Sequence, residues 1–438
     1  MFFDFLFHSP ATRSFLRRCA VAASCGMAAV TAHAQADPAW SLSGFGTAGV
    51  VKQNGATGLG FVRNRTQRGT DTDLSAAPDS RAGLQLNWNG GPRWEAGVQG
   101  VLVQKPSGTP AEESIEWAYL GYRPWPNTRV RLGRTSPDLF LFAESRNVGF
   151  ALPWARPPVD FYGFAPVVSI DGADLEQRWF TGDTTWRARA TAGAVRTSVI
   201  DNNGSRLTLH GPNALAVGLS REEGGLLMKV SFLRSRIEVN AGPQVDQLRQ
   251  GLNQLAAIPV PGLAGAVAPL GQNLWTGGMT TYLALAAQYE TGPWTLIAEG
   301  SRLRVPGSPL NADRAYVSAG YRSGSVTYYG TASRVKPEDP AVTTPALATS
   351  LAPVIGPAAA GQAQALAGYA GAAGDAYRYD QSTVGVGLRW DFSPNAAFKL
   401  QVDRFDVRRH GGAGWRAYDG RSTQGTLVSM LVDFVWGQ

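Results

Sequence analysis

Three glycines in "SLSGFGTAGVV" (residues 41–51), Gly44, Gly46 and Gly49, stand in the spacing G-x-G-x-x-G. In a dinucleotide-binding turn that spacing lets backbone N–H groups approach a pyrophosphate, but only between a buried strand and the start of a helix. Here no strand precedes the glycines and no helical periodicity follows them. Asp71, at the distance where an acid would hold a ribose, falls in a polar stretch (53–79) instead of at a strand end. The dinucleotide reading fails, and no cofactor is expected.

Hydrolytic chemistry needs a nucleophile with a base, usually a histidine. Of four histidines, His8 and His33 lie in the first 34 residues. His210 in "LTLHGPN" and His410 in "VRRHGGAG" are expected in exposed loops, neither beside a Ser/Asp arrangement. The two cysteines, Cys19 and Cys25, also fall in that first segment, and no H-E-x-x-H or P-loop occurs. An enzyme is not expected, nor a metal site.

What remains is a pattern of opposed charges. "TRVRLGR" (128–134) carries Arg129 and Arg131 at alternate positions, and "TWRARATAGA" (185–194) carries Arg187 and Arg189 likewise. Between them the stretch 136–170 supplies Asp138, Glu144 and Asp160. Carboxylates facing arginines across water set up a field that orients dipolar solutes. The plainer alternative is that the pairs satisfy each other and hold a loop in place.

To face one another, these residues need strands that alternate. "RAGLQLNWN" (81–89) places Ala82, Leu84, Leu86 and Trp88 on one face and Arg81, Gly83, Gln85 and Asn87 on the other. "TVGVGLRWD" (383–391) and "FKLQVD" (398–403) repeat the pattern, as successive side chains of a strand point to opposite faces. The runs reach roughly 9–12 residues, the length a tilted strand needs to cross hydrocarbon. Sixteen strands are expected, near 40–52, 80–90, 93–105, 114–123, 127–135, 171–181, 185–196, 213–222, 225–239, 279–291, 294–304, 313–322, 325–334, 381–391, 396–407 and 424–436.

The connections alternate between short and long. "NGGP", "PWPN", "TGDT", "EEGG", "TGP", "SGS" and "SPN" are short and rich in turn formers; 53–79, 136–170, 240–278 and 335–380 are long. Aromatics gather beside the short turns, among them Trp88, Trp94, Trp125, Trp179, Trp186, Trp294 and Trp390. The expected fold is all-β: a 16-stranded antiparallel transmembrane β-barrel with short periplasmic turns, long extracellular loops and an aromatic girdle. Its lumen is expected to hold Arg81, Arg178, Lys229, Arg322, Arg389 and Lys399 beside the four arginines, against Glu95, Glu116, Asp174, Glu176, Glu299, Asp391, Asp403 and Asp433. In the loops, "QVDQLRQGLNQLAAI" (244–258) lines Val245, Leu248, Leu252 and Leu255 along one helical face, while 341–374 reads as low-complexity Ala/Pro/Gly sequence.

Residues 1–34 read as an export leader, with Arg13, Arg17 and Arg18 before the short apolar run "AVAASCGMAAV" and small residues "AHA" before Gln35. The barrel is expected over 35–438, beginning too soon after the leader for a plug domain. The formal net charge of +7 is dispersed without a Lys/Arg block, so no nucleic-acid partner is expected.

Three stretches, "WSLSGFGTAGVV" (40–51), "RPWPNTRVRLGR" (123–134) and "VGFALPWARPPVDFYGFAPVVSIDGADL" (148–175), resemble the porins of Gram-negative proteobacteria, of the general-diffusion type. The last strand, "TLVSMLVDFVW" (426–436), resembles the terminal signature of outer-membrane barrels, except that Gly437 and Gln438 follow its final aromatic. The resemblance implies a water-filled pore, often a homotrimer, in outer-membrane lipid, narrowed by the loop after strand five. Small hydrophilic solutes and ions would pass passively with a weak lean towards anions. The competing expectation is a barrel whose loops bind a partner, or a substrate-specific channel. N-terminal sequencing of membrane-extracted protein should begin at Gln35; an uncleaved chain, or a soluble periplasmic product, would contradict the leader and the barrel assignment.

Overall fold

A computed structural model describes residues 39–437 apart from 56–58, 68, 71–72, 105–113, 165–168, 201–205, 241, 275–276, 307 and 309. The leader assigned to 1–34 lies outside the described residues. Sixteen strands follow one another around a closed sheet: β1 (Trp40–Asn54), β2 (Arg81–Asn89), β3 (Trp94–Val103), β4 (Ile115–Trp125), β5 (Thr128–Thr135), β6 (Ile170–Thr181), β7 (Thr184–Ile200), β8 (Arg206–Glu223), β9 (Leu226–Asn240), β10 (Gly277–Thr291), β11 (Trp294–Arg304), β12 (Ala312–Ser323), β13 (Val326–Pro337), β14 (Tyr379–Ser393), β15 (Ala396–Gly412) and β16 (Thr423–Trp436). Each pairs antiparallel with the next, and β16 returns to β1 in the register Gly46↔Phe434, Ala48↔Val432 and Val50↔Met430. No lateral edge is left open.

The period-2 pattern sorts the side chains as expected. Leu84, Leu86, Leu132, Leu285, Val317, Val384 and Val386 point away from the lumen, and Leu102 leaves 71% of its surface exposed. A water-soluble protein does not present leucine and valine this way on almost every strand. Arg81, Arg131, Asp174, Glu176, Arg189, Lys229, Glu299, Lys399, Asp403 and Asp433 point inward and are buried. At the short-turn end the aromatics pair: Trp94 with Tyr122 at 4.8 Å between ring centroids, Trp294 with Tyr321 at 4.9 Å, and Trp179 stacked on Trp186 at 6.0 Å. Gly182, Gly224, Gly292 and Gly324 adopt positive φ in the tight turns themselves.

The G-x-G-x-x-G glycines now have a physical reason. A Cβ at Gly44 would run into the Trp436 ring, and one at Gly46 into the Phe434 ring. Both glycines let aromatic side chains of β16 lie flat across β1, closing the seam with apolar cover. Gly49 faces inward, where Asp79 approaches the strand.

Two differences from expectation concern β8 and β15. His210 sits within β8, opposite Arg196 and Glu238, and His410 lies near the end of β15; neither is in a loop. "HGPNA" had the composition of a strand boundary. It is instead a bulge, with the register shifting between Gly211 and Ala214, which absorbs Pro212 without ending the strand. His410 is also not solitary, since its Nδ1 meets Asp375 Oδ2 at 2.6 Å.

Among the described residues the long-loop end carries four helices: α2 (Pro243–Ala256), α3 (Leu263–Gln272), α4 (Leu347–Ile355) and α5 (Pro357–Asp375). Helix α2 is the one read from the leucine spacing, and Leu252 and Leu255 are buried. The stretch 341–374 read as low-complexity is mostly α4 and α5, whose Ala360, Ala363, Ala367 and Ala370 pack against Leu263, Val267 and Leu270. Alanine supplies helix propensity, and its small side chain lets helices approach closely. Helix α1 (Val159–Tyr162) is a single turn inside the barrel. Among the described residues no helix is long and apolar enough to cross a membrane, which says nothing of crossing by strands.

Charges placed on the outer face should therefore be costly and inner ones tolerated. Leu86→Arg and Val386→Arg should each destabilise the barrel by about 2–4 kcal/mol in lipid refolding titrations, whereas Gln85→Arg should cost less. Equal costs would mean the faces are assigned wrongly.

Candidate channel constriction

Alternation and register assemble the site before any loop is considered. In β5, β6 and β7 the inward positions bring Arg131 opposite Asp174, Arg129 opposite Glu176, and Glu176 opposite Arg189. Arg131 meets Asp174 at 2.8 Å, Arg129 meets Glu176 at 2.9 Å, Arg187 meets Glu176 at 2.8 Å and Arg189 meets Asp174 at 2.5 Å. Thr191 adds a hydroxyl hydrogen bond to Asp174. The four arginines read from the sequence form one wall, and the two wall acids lie between them.

The loop after β5, over residues 136–164, folds into the lumen and brings its carboxylates to that wall. Glu144 sits 2.6 Å from Arg189, 3.6 Å from Arg187 and 3.8 Å from Arg131. Asp138 pairs with Lys229 on β9 and with Arg187 at 3.4 Å. Burial alone would raise the Asp138 pKa; Lys229 and Arg187 reverse this and hold it below the ordinary carboxylate range. Five cations thus meet four carboxylates. Their exposure separates two roles. Glu144, Arg129 and Arg187 leave 38%, 23% and 22% of their side-chain surface open, but Arg189 leaves 1%. The first three stay open to the lumen; Arg189, Arg131 and Asp174 are buried framework.

Asp160 is elsewhere, a correction to the expectation that it opposes the basic wall. It is fully buried on the far side, accepting hydrogen bonds from Ser333 (2.7 Å), Gln381 (2.7 Å) and Thr383 (3.1 Å) on β13 and β14. By that point the loop has crossed the lumen. With neutral donors and no cation in contact, burial pushes its pKa from 3.8 up to about 6.

Sequence reasoning also missed the anchor in the middle of the loop. Arg156, within "PWARPP", is buried and ties Asp79 (2.6 Å), Asp403 (3.2 Å) and Ser429 (2.7 Å) together, with its guanidinium 4.6 Å from the Phe61 ring centre. Burial would raise Asp79, but Arg156 and Arg63 hold it below the ordinary range. Beside it Lys399 donates to the carbonyls of Gly149 and Leu152, and Trp154 donates to Ser318. An arginine flanked by Trp and Pro in an apolar segment was the one available signal. A guanidinium there needs buried partners. Among the described residues no group of three or more His, Cys, Asp or Glu is placed to hold a metal ion.

No family model matches the chain, nor does any curated protein. Solved structures similar to it include the outer-membrane channel DcaP of Acinetobacter baumannii (14% identity, TM-score 0.49, covering 94% of this chain and 100% of that one). Others are Salmonella typhi OmpF in complex with daunomycin (11%, 0.49, 90% and 97%) and an anion-selective porin from Comamonas acidovorans (12%, 0.48, 91% and 99%).

Two measurements separate the roles assigned above. Arg189→Ala, which leaves buried Asp174 with Arg131 as its one remaining ion-pair partner among the described residues, should destabilise the barrel clearly more than Arg187→Ala; equal losses would dissolve the distinction. A raised folded pKa makes Asp160 most favourable below 3.8, with that contribution lost as pH rises through about 6. Urea midpoints should therefore shift in favour of Asp160→Asn over the parent chain as pH rises from 4 to 7, whereas a pH-independent difference would rule this out.

Proposed function

We propose that this chain is an outer-membrane porin: a water-filled channel through which small hydrophilic solutes and ions diffuse passively. The observation that carries the proposal is the closed barrel's division of faces. Leucine and valine cover the outside, and a partly solvated set of arginines and carboxylates lies inside. A closed ring is the form in which strands cross hydrocarbon without unsatisfied backbone groups. The loop after β5 forms the constriction, with Glu144 on the loop facing Arg129 and Arg187 on the wall. Two arginines open to the lumen, Arg129 and Arg187, against the one open carboxylate of the loop, Glu144, support a weak preference for anions. The long-loop end faces the cell exterior and the short turns face the periplasm. Homotrimers in outer-membrane lipid fit this reading, and no residue is assigned a catalytic role.

Planar bilayers test it directly. The protein should give ohmic steps in KCl, with a reversal potential slightly towards chloride selectivity. Arg129→Ala with Arg187→Ala should move it towards cations, and Glu144→Gln should move it the other way, most strongly at low salt where screening is weakest. Deleting residues 139–148 should raise unitary conductance; unchanged conductance would place the constriction in another loop.

A further inference from the structure

A second site lies beyond the charged wall, at the long-loop end of the lumen. The inward faces of β7 to β11 there present Val199, Leu209, Leu233, Ile237 and Leu303, and the inner loop adds Phe140. Together they line a cavity that opens towards the long-loop end, and its wall is mostly hydrocarbon, as in sites that hold an apolar body. A passage meant only for hydrated ions does not need such a wall.

Two polar groups line this cavity without partners of their own. Arg314 on β12 is 4% exposed, makes no ion pair among the described residues, and leaves its Nε without a hydrogen-bond acceptor. Its one close contact is the Phe164 ring, 5.1 Å from the guanidinium carbon. Thr280 on β10 is 7% exposed, and its hydroxyl also lacks a partner. Every other buried arginine of the inner wall described above has a carboxylate or carbonyl; Arg314 lines a pocket instead. The two acids whose charge reaches it are already engaged, Asp313 by Arg302 and Asp160 by three hydrogen bonds. A guanidinium stays charged at any physiological pH, and a buried unpaired charge costs several kcal/mol. What would complete this site is an anion.

We infer that this pocket binds amphipathic monocarboxylates, with the carboxylate on Arg314 and the Thr280 hydroxyl and an apolar body against the Leu/Val/Ile wall. The planar fork of a guanidinium matches a carboxylate bidentately. Arg65 stands at the same cavity, donating to the Ala376 carbonyl at 2.9 Å and lying 5.9 Å from the Tyr377 ring centre, and so gives the wall a second basic group. The assignment rests on the channel reading in one respect only, that solute reaches the lumen from the long-loop end. It adds a substrate class to that reading: organic acids with a hydrophobic body are held on the way through.

The test uses the full-length barrel in lipid nanodiscs, with 4-phenylbutanoate and its neutral amide as probes and empty nanodiscs to subtract partitioning into lipid. The acid should bind at least about tenfold more tightly than the amide, the equivalent of one hydrogen bond to a charged group. Arg314→Met removes an unpaired buried charge and should fold normally. It should abolish the preference for the acid and leave amide binding unchanged. Leu209→Trp, which fills the cavity but keeps the arginine, should weaken both probes. Equal binding of acid and amide, or an undiminished preference in Arg314→Met, overturns the proposal. Conductance in KCl is recorded separately: acid binding in a non-conducting barrel upholds the pocket and refutes the channel. A conducting barrel that does not prefer the acid refutes the pocket alone.

Discussion

Everything in this molecule follows from one requirement: in hydrocarbon, each backbone N–H and C=O must find its partner within the protein. The ring of sixteen strands meets it by joining β16 to β1 over eleven residue pairs, from Gly44↔Trp436 to Asn54↔Thr426. Once the ring closes, the two faces of every strand have different solvents. The outer face must be apolar along the membrane band. The inner face receives whatever polar residues the alternation dictates, in a space that water only partly fills.

That inner space sets the second problem, which is electrostatic. Arginines on adjacent strands would repel one another if left alone. Asp174 and Glu176 lie between them, and the inner loop brings Glu144 and Asp138 to the remaining sides. The bland reading of these charges, mutual satisfaction that holds a loop down, describes Arg189, Arg131 and Asp174 well. The functional reading is proposed for the residues that stay open to the lumen, Glu144, Arg129 and Arg187. Apolar packing of Phe140, Trp154 and Phe161 against Tyr282 and Tyr316 fixes the loop between its polar anchors.

The barrel was legible because strand alternation and Gly/Pro/Asn turns are local properties of the chain, and sixteen of each other's neighbours repeat them. The four arginines were legible for the same reason, since two positions apart on a strand means one face. Asp138 and Glu144 were within reach because the loop leaves β5 directly beside that wall. Asp160 was not, because nothing local says that the chain has crossed the lumen after "PWARPP". The continuity of β8 through Pro212 was hidden by a bulge that has the composition of a turn. Helices α4 and α5 were hidden because alanine-rich faces carry almost no contrast between apolar and polar positions. Arg314 stood in an ordinary alternating strand, and only its lack of a partner in three dimensions sets it apart.

Arg156 joins parts of the chain that are far apart in sequence: Asp79 before β2, Asp403 on β15 and Ser429 on β16. Nearby, Lys399 on β15 pairs with Asp433 on β16 at 2.8 Å, and Thr47 on β1 donates to Asp433 at 2.5 Å. These contacts lie directly behind the seam where the last strand meets the first. A chain whose final strand has not yet arrived offers the loop only half of its binding partners. A ring whose loop is still outside leaves Asp79 and Asp403 without the guanidinium of Arg156. Docking of the loop and sealing of the seam are therefore one cooperative event in biogenesis. The inner loop is a latch that can be thrown only when the first and last strands are already side by side.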